Sequence, residues 1–147
     1  MTLVEFLLAR LDDDECVAKA ATIPAHDGPN AHQPHPELSA WRYVQDGEVE
    51  YVSTPEMLAH NHEPYQVTAD SEGILPAVSE SVGPHIARHD PARVLRRVAA
   101  ERRIIALVES TDVPGWGDTH GEMVKVLRFL ALPYAGHHPD YQEEWKP

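Results

Sequence analysis

HIARHDPARVLRRVAAERRIIALVE, His85 to Glu109, carries six of the twelve Lys and Arg residues in a 147-residue chain of net charge −12. It is also the longest helical pattern in the sequence. The Asp90 carboxylate is placed to accept the free N–H groups of a first helical turn, and Pro91 at the first helical position sacrifices no intrahelical bond. A helix from Pro91 to Val108 follows. At about 100° per residue, Val94, Val98, Ile105 and Val108 fall on one line with Leu95 beside it, and Arg93, Arg96 and Arg103 lie across from them. Glu101 and Arg102 interrupt the apolar edge. Arg97 stands four residues before Glu101, which predicts a local ion pair, with Arg102 reaching outward.

Working outward, Thr2 and Glu5 form a capping box, and Leu3, Val4, Leu7, Leu8, Leu11 and Ala18 keep one apolar face to about Ala21. Asp12, Asp13, Asp14 and Glu15 are the densest acidic run and the later helix is the densest basic one, so the two are expected to pack with charges flanking the contact. The stretch 22–37 holds four prolines and three histidines and reads as a Pro/His-rich loop. Ala40 to Ser53 alternates around Asp46-Gly47, a pairing that predicts a two-residue hairpin turn, with Val44 opposite Val49 and Trp41 opposite Val52. Tyr65 to Ala69 supplies a third extended run.

Leu75 to His89 has Val78, Val82 and Ile86 at helical spacing, with Pro84 disturbing the segment. Ser110 to Asp118 reads as a turn around Trp116. Thr119 and Glu122 form another capping box, before a helix marked by Met123, Val126, Leu127 and Leu130 and ending by Pro133. Tyr134, Tyr141 and Trp145 make 133–147 an aromatic tail expected to dock on the body. The fold class is α+β: about three main helices on an antiparallel meander of about three strands, as one domain over residues 1–147.

Two segments, HIARHDPARVLRRVAAERRII (His85 to Ile105) and ALPYAGHHPDYQEEW (Ala131 to Trp145), resemble the signature blocks of an actinobacterial domain-of-unknown-function family numbered 6221. FLLARLDDDE, Phe6 to Glu15, is similar to the usual start of its members. The resemblance implies a small cytoplasmic protein of a Streptomyces-like actinobacterium or its phage, and supplies no activity. This chain departs from the family pattern at Gly136, His137 and His138, where members generally carry an acidic residue and a single His, and through its middle.

No stretch approaches the roughly twenty apolar residues that span a bilayer, and the amino end lacks the basic leader of a secretory signal. The single Cys16 has no disulfide partner and reads as structural, which suits a reducing compartment. A pI near 5.1 disfavours nucleic acid as a partner.

His85 and His89 share a helical face at the four-residue spacing that can chelate zinc or another divalent metal, with His137, His138, Asp140, His120 or Asp90 as candidate further ligands, although Asp90 is better explained as a cap. His60-x-His62 and His32-x-x-His35 lack cysteine partners and the spacing of a structural zinc site. His85 or His89 with Glu101 is a conceivable acid–base pair, although the sequence offers no nucleophile motif or phosphate loop beside it. Arg93, Arg96 and Arg103 are candidates to meet an anion or an acidic partner. The leading expectation is an accessory protein working without catalysis through protein contacts, with an unknown partner or as a homodimer. The alternative is a divalent-metal-binding protein or metal-dependent enzyme built on His85 and His89.

Overall fold

In the computed structural model, the described residues are 1–22, 35–44, 47–59, 67–68, 78–112 and 117–147. They form five α-helices, α1 (Leu3–Ala20), α2 (Pro55–Ala59), α3 (Gly83–Arg88), α4 (Pro91–Ser110) and α5 (Gly117–Ala131), and an antiparallel pair, β1 (Trp41–Val44) and β2 (Glu48–Tyr51). Short 3-10 turns lie at Pro36–Leu38, Leu132–Tyr134 and Glu143–Trp145. Two compact units emerge: Met1–Asp14 with Arg97–Pro147, and Glu15–Arg96. Helices α1 and α4 contribute residues to both.

In the first unit the capping box at the amino end is made in full. The Thr2 N–H donates to Glu5 Oε2 at 2.7 Å and the Glu5 N–H donates to Thr2 Oγ1 at 3.2 Å. Phe6, Leu7 and Leu11 of α1, Val98, Ile105 and Val108 of α4, and Leu127 and Ala131 of α5 are all buried, as helical spacing requires. Burial of each larger aliphatic side chain contributes roughly 1.5–3 kcal/mol, so this apolar packing outweighs any surface ion pair. The acidic and basic runs do meet. Arg97 donates to Asp14 and stands 3.6 Å from Glu101, while Arg102 pairs with Asp12 at 2.6 Å. The arginines used are thus the two at the edge of the apolar stripe. Helix α5 starts at Gly117, which places Thr119 inside its first turn rather than at its cap.

In the second unit the Asp90–Pro91 step begins α4 as the sequence predicts. Asp90 Oδ1 accepts the Arg93 N–H at 2.6 Å, and its Oδ2 lies 3.5 Å from the Trp41 N–H at the start of β1. One carboxylate therefore caps a helix and touches a strand. The hairpin register differs from expectation by one residue on one strand: Trp41 pairs with Tyr51, Tyr43 with Val49 and Val44 with Glu48. Three residues, 45–47, thus separate the paired strands in sequence, of which Gly47 is described, at φ 89° with its N–H donating to the Val44 carbonyl. A left-handed last residue is what such a loop demands, and glycine adopts it without a Cβ clash.

The sheet has two strands among the described residues, not three. Where the third was expected, Val67 and Thr68 form a bend: the Val67 N–H donates to the Val49 carbonyl at 2.7 Å and the Val49 N–H to Thr68 Oγ1 at 3.3 Å. A side chain supplies one of those two contacts, so Val67 and Thr68 do not pair with β2 as a ladder does. The rest of Tyr65 to Ala69, most of the 22–37 loop, His60, His62, His32 and Trp116 lie outside the described residues. The ends of that loop are defined, the His35 N–H donating to the Thr22 carbonyl at 3.2 Å.

Of the helical segment expected from Leu75, residues 75–77 lie outside the described residues and residues 83–88 form α3, with Pro84 in its first turn, where it breaks no bond. Gly83 opens α3 against β1. A Cβ there would lie 2.1 Å from Tyr43 Cδ2, so only glycine permits this approach. Cys16 is exposed on α1 and takes no part in the core. No described helix is long and apolar enough to cross a membrane.

Candidate functional site

The carboxyl-terminal block is built around one ring of α1. Phe6, fully buried, meets Tyr134, His138 and Tyr141 edge to face at centroid distances of 5.7, 5.4 and 6.2 Å, and Trp145 at 4.9 Å with a tilt of 46°. Arg10, one turn later on α1, lies over the same ring at 5.6 Å. Edge-on aromatic pairs and a guanidinium over a ring each add about 0.5–1 kcal/mol or more to the area they bury.

The backbone that presents these rings turns sharply after the 3-10 turn at Leu132–Tyr134. The Tyr134 carbonyl accepts N–H groups from both His137 and His138, at 3.2 and 3.1 Å, and Gly136, just before them, has φ 75°. A second turn through Pro139 and Asp140 closes with the Tyr141 N–H on the His138 carbonyl at 3.1 Å. The Gln142 amide then reaches the Met1 carbonyl at 3.4 Å. These turns border a shallow, open cleft of about 370 Å³ lined by Gly136, His137, His138, Pro139, Tyr141 and Glu143.

His138 forms part of its wall and is held from both sides. Arg10 Nη1 donates to its Nε2, the Asp140 N–H approaches Nδ1 at 3.2 Å, and the Asp140 carboxylate is 4.0 Å from Nδ1. A ring nitrogen accepting from arginine is not presenting its lone pair to a metal. The other proposed ligands are distributed as follows. His85 and His89 lie at the end of α3 with ring centroids 4.5 Å apart, both exposed. His137 is exposed beside the cleft, and His120 Nδ1 is 3.1 Å from Thr111 Oγ1. Among the described residues no three His, Cys, Asp or Glu side chains converge as a metal centre requires. Arg93 and Arg96 are exposed, with Arg93 Nη1 donating to the Arg88 carbonyl at 3.3 Å; Arg103 is also exposed.

The profile of a family of unknown function, DUF6221, matches residues 1–147. The chain belongs to that family. The DUF6221 match includes the middle of the chain, where the resemblance of the two signature blocks did not reach. No curated protein and no solved structure matches the chain.

A second polar group of this DUF6221 chain lies between α1 and α4 in the first unit. Glu101 has a side chain only 16% exposed, facing Arg97, which also holds Asp14; the Tyr134 hydroxyl donates to Asp14 at 3.5 Å. Burial pushes the Glu101 carboxyl above the ordinary carboxylate range against the pull of Arg97, and Asp14 adds to the rise. Burial likewise raises the Tyr134 hydroxyl, with Asp14 reinforcing it. The Glu101 penalty falls on the charged form. It is absent below the ordinary carboxylate range, grows as pH rises from there to the raised value, and is constant above it. Glu101→Gln is therefore expected to be more stable than the parent in urea at about pH 7 and to lose that advantage near pH 4. A variant less stable at neutral pH would show that the Arg97 attraction outweighs burial.

Proposed function

We propose that this protein is a cytoplasmic accessory protein acting without catalysis through protein contacts, and that the outer face of α5 is where a partner is met. The observation that carries this is the exposure of two large apolar side chains three residues apart, Phe129 at 60% and Leu132 at 45%. Residues at that spacing share one side of a helix end. The same face continues, toward the helix start, into Glu122 and Lys125, paired at 2.6 Å. An apolar centre beside a polar margin is the composition of an interface. Leu127 and Ala131, on the opposite side, supply the fully buried packing of α5, and Phe129 and Leu132 are left about half or more exposed.

The test compares the parent with a Phe129→Ser, Leu132→Ser double variant by light scattering and by capture from a lysate. The parent should self-associate or retain a defined protein, and the variant should lose that association with its helical circular dichroism unchanged. A parent that is monomeric and whose captured proteins are identical to the variant's would overturn the reading.

A second reading is favoured by the close approach of His85 and His89, with rings 4.5 Å apart at an exposed helix end. In that reading the pair takes up a divalent metal, with further ligands from solvent or elsewhere in the chain. Elemental analysis of tag-free protein should then find stoichiometric metal that disappears in His85→Ala, His89→Ala. Metal absent from both, with melting unaffected by added zinc, would end it.

A further inference from the structure

The segment that follows the 3-10 turn at Leu132–Tyr134 is tied to α1 by side chains alone. Every backbone hydrogen bond donated by an N–H of residues 135–146 ends on a carbonyl of residues 132–143, so the segment closes its backbone on itself. Its charges are also answered internally, Glu143 by Lys146, with the Asp140 carboxylate 4.0 Å from His138. Among the described residues two hydrogen bonds cross to the amino end, from Arg10 to His138 and from the Gln142 amide to the Met1 carbonyl at 3.4 Å. The rest of the hold is the contact of His138, Tyr141 and Trp145 with the Phe6 ring.

That junction closes against an opposing cost. Arg10 Nε on its α1 side and the Tyr141 hydroxyl on the other are buried without a hydrogen-bond partner among the described residues, and both side chains pack on Phe6. Water satisfies both groups once the two sides part, so each of them favours the open arrangement. Gly136 marks a hinge: its φ is 75°, and nothing lies within 4 Å of where a Cβ would stand, so the constraint on it is conformational and not steric. Before that hinge Tyr134 keeps its own edge-on contact with Phe6, and its hydroxyl donates to Asp14. Leu127 and Ala131 hold α5 independently. We propose that residues 135–147 are a releasable strap, which lifts from Phe6 as one unit while the helical packing of the first unit stays in place. Burial of Trp145 makes the closed strap the resting state. Release uncovers the Phe6 ring and frees the Arg10 guanidinium from His138, so access to that side of α1 is set by the strap. Phe129 and Leu132 precede the hinge, and the partner reading stands or falls apart from this device.

The test is amide hydrogen exchange of the full chain, read by NMR at a series of urea concentrations below the unfolding transition. The turns that hold the strap amides lose their support once the rings leave Phe6, so exchange there reads release. The amides of His137, His138, Tyr141 and Trp145 should share one opening equilibrium, roughly tenfold or more easier than that of the centre of α5. Their exchange should also depend less steeply on urea, because lifting the strap exposes less surface than unfolding the chain. Tyr141→Phe keeps the ring on Phe6 and removes the unpartnered hydroxyl; it should slow strap exchange about fivefold or more. Gly136→Ala strains the closed strap and not the open one, and should speed strap exchange about fivefold or more. Strap amides that open only together with α5, strap amides with unrelated opening equilibria, or a strap that either substitution fails to move in the stated direction would overturn the proposal.

Discussion

The Phe6 ring is the contact on which the described amino- and carboxyl-terminal segments of the first unit depend. It is fully buried, and four of the aromatic or imidazole rings of the last fourteen residues close on it, together with the Arg10 guanidinium. Those residues contain no α-helix or strand, Tyr134 ending one 3-10 turn and Glu143–Trp145 forming another. A segment held only by short-range turn bonds is ordered largely by what it packs against, because fixing each residue costs about 1–2 kcal/mol of backbone entropy. Trp145 and the rings beside it supply that packing. The cleft is a consequence: two tight turns, held by the Tyr134 and His138 carbonyls, leave a concavity bounded by the rings that hold the segment down.

Charge plays a secondary part. Asp12 and Asp14 are matched to Arg102 and Arg97, which explains why a strongly acidic run and a strongly basic one coexist in a chain of this composition. Exposed pairs of this kind contribute under about 1 kcal/mol each, so they set register between α1 and α4 in the first unit more than they stabilise it. Glu101 is the exception in kind. It occupies a position on the apolar edge of α4, and its burial works against its own ionisation.

What was legible in the sequence was the part governed by local rules. The Asp90–Pro91 helix start, the Thr2–Glu5 box and the Val98, Ile105, Val108 stripe depend on residues within one or two turns of each other, and the structure has all three. The hairpin was legible as an element but not in register, since a two-residue and a three-residue connection both use the same glycine; the pairing of Tyr43 with Val49 decides between them only in space. The start of α5 was misplaced because a capping-box pattern at Thr119 is indistinguishable in sequence from the same residues inside a first turn. At the site, the docking of Tyr134, Tyr141 and Trp145 was visible as aromatic density. Arg10 and Phe6 were not singled out, although their four-residue spacing on α1 puts them on one face. Nothing local says that this face would meet the other end of the chain.

The most direct measurement of the central claim is amide hydrogen exchange across residues 134–146 in the parent and in Phe6→Leu, which keeps an apolar side chain but removes the ring. If Phe6 orders the carboxyl-terminal block, His137, His138, Tyr141 and Trp145 amides are protected in the parent and exchange about tenfold faster or more in the variant, while the middle of α5 keeps its protection. Unchanged protection across residues 134–146, or a uniform rise over the whole chain, would contradict it.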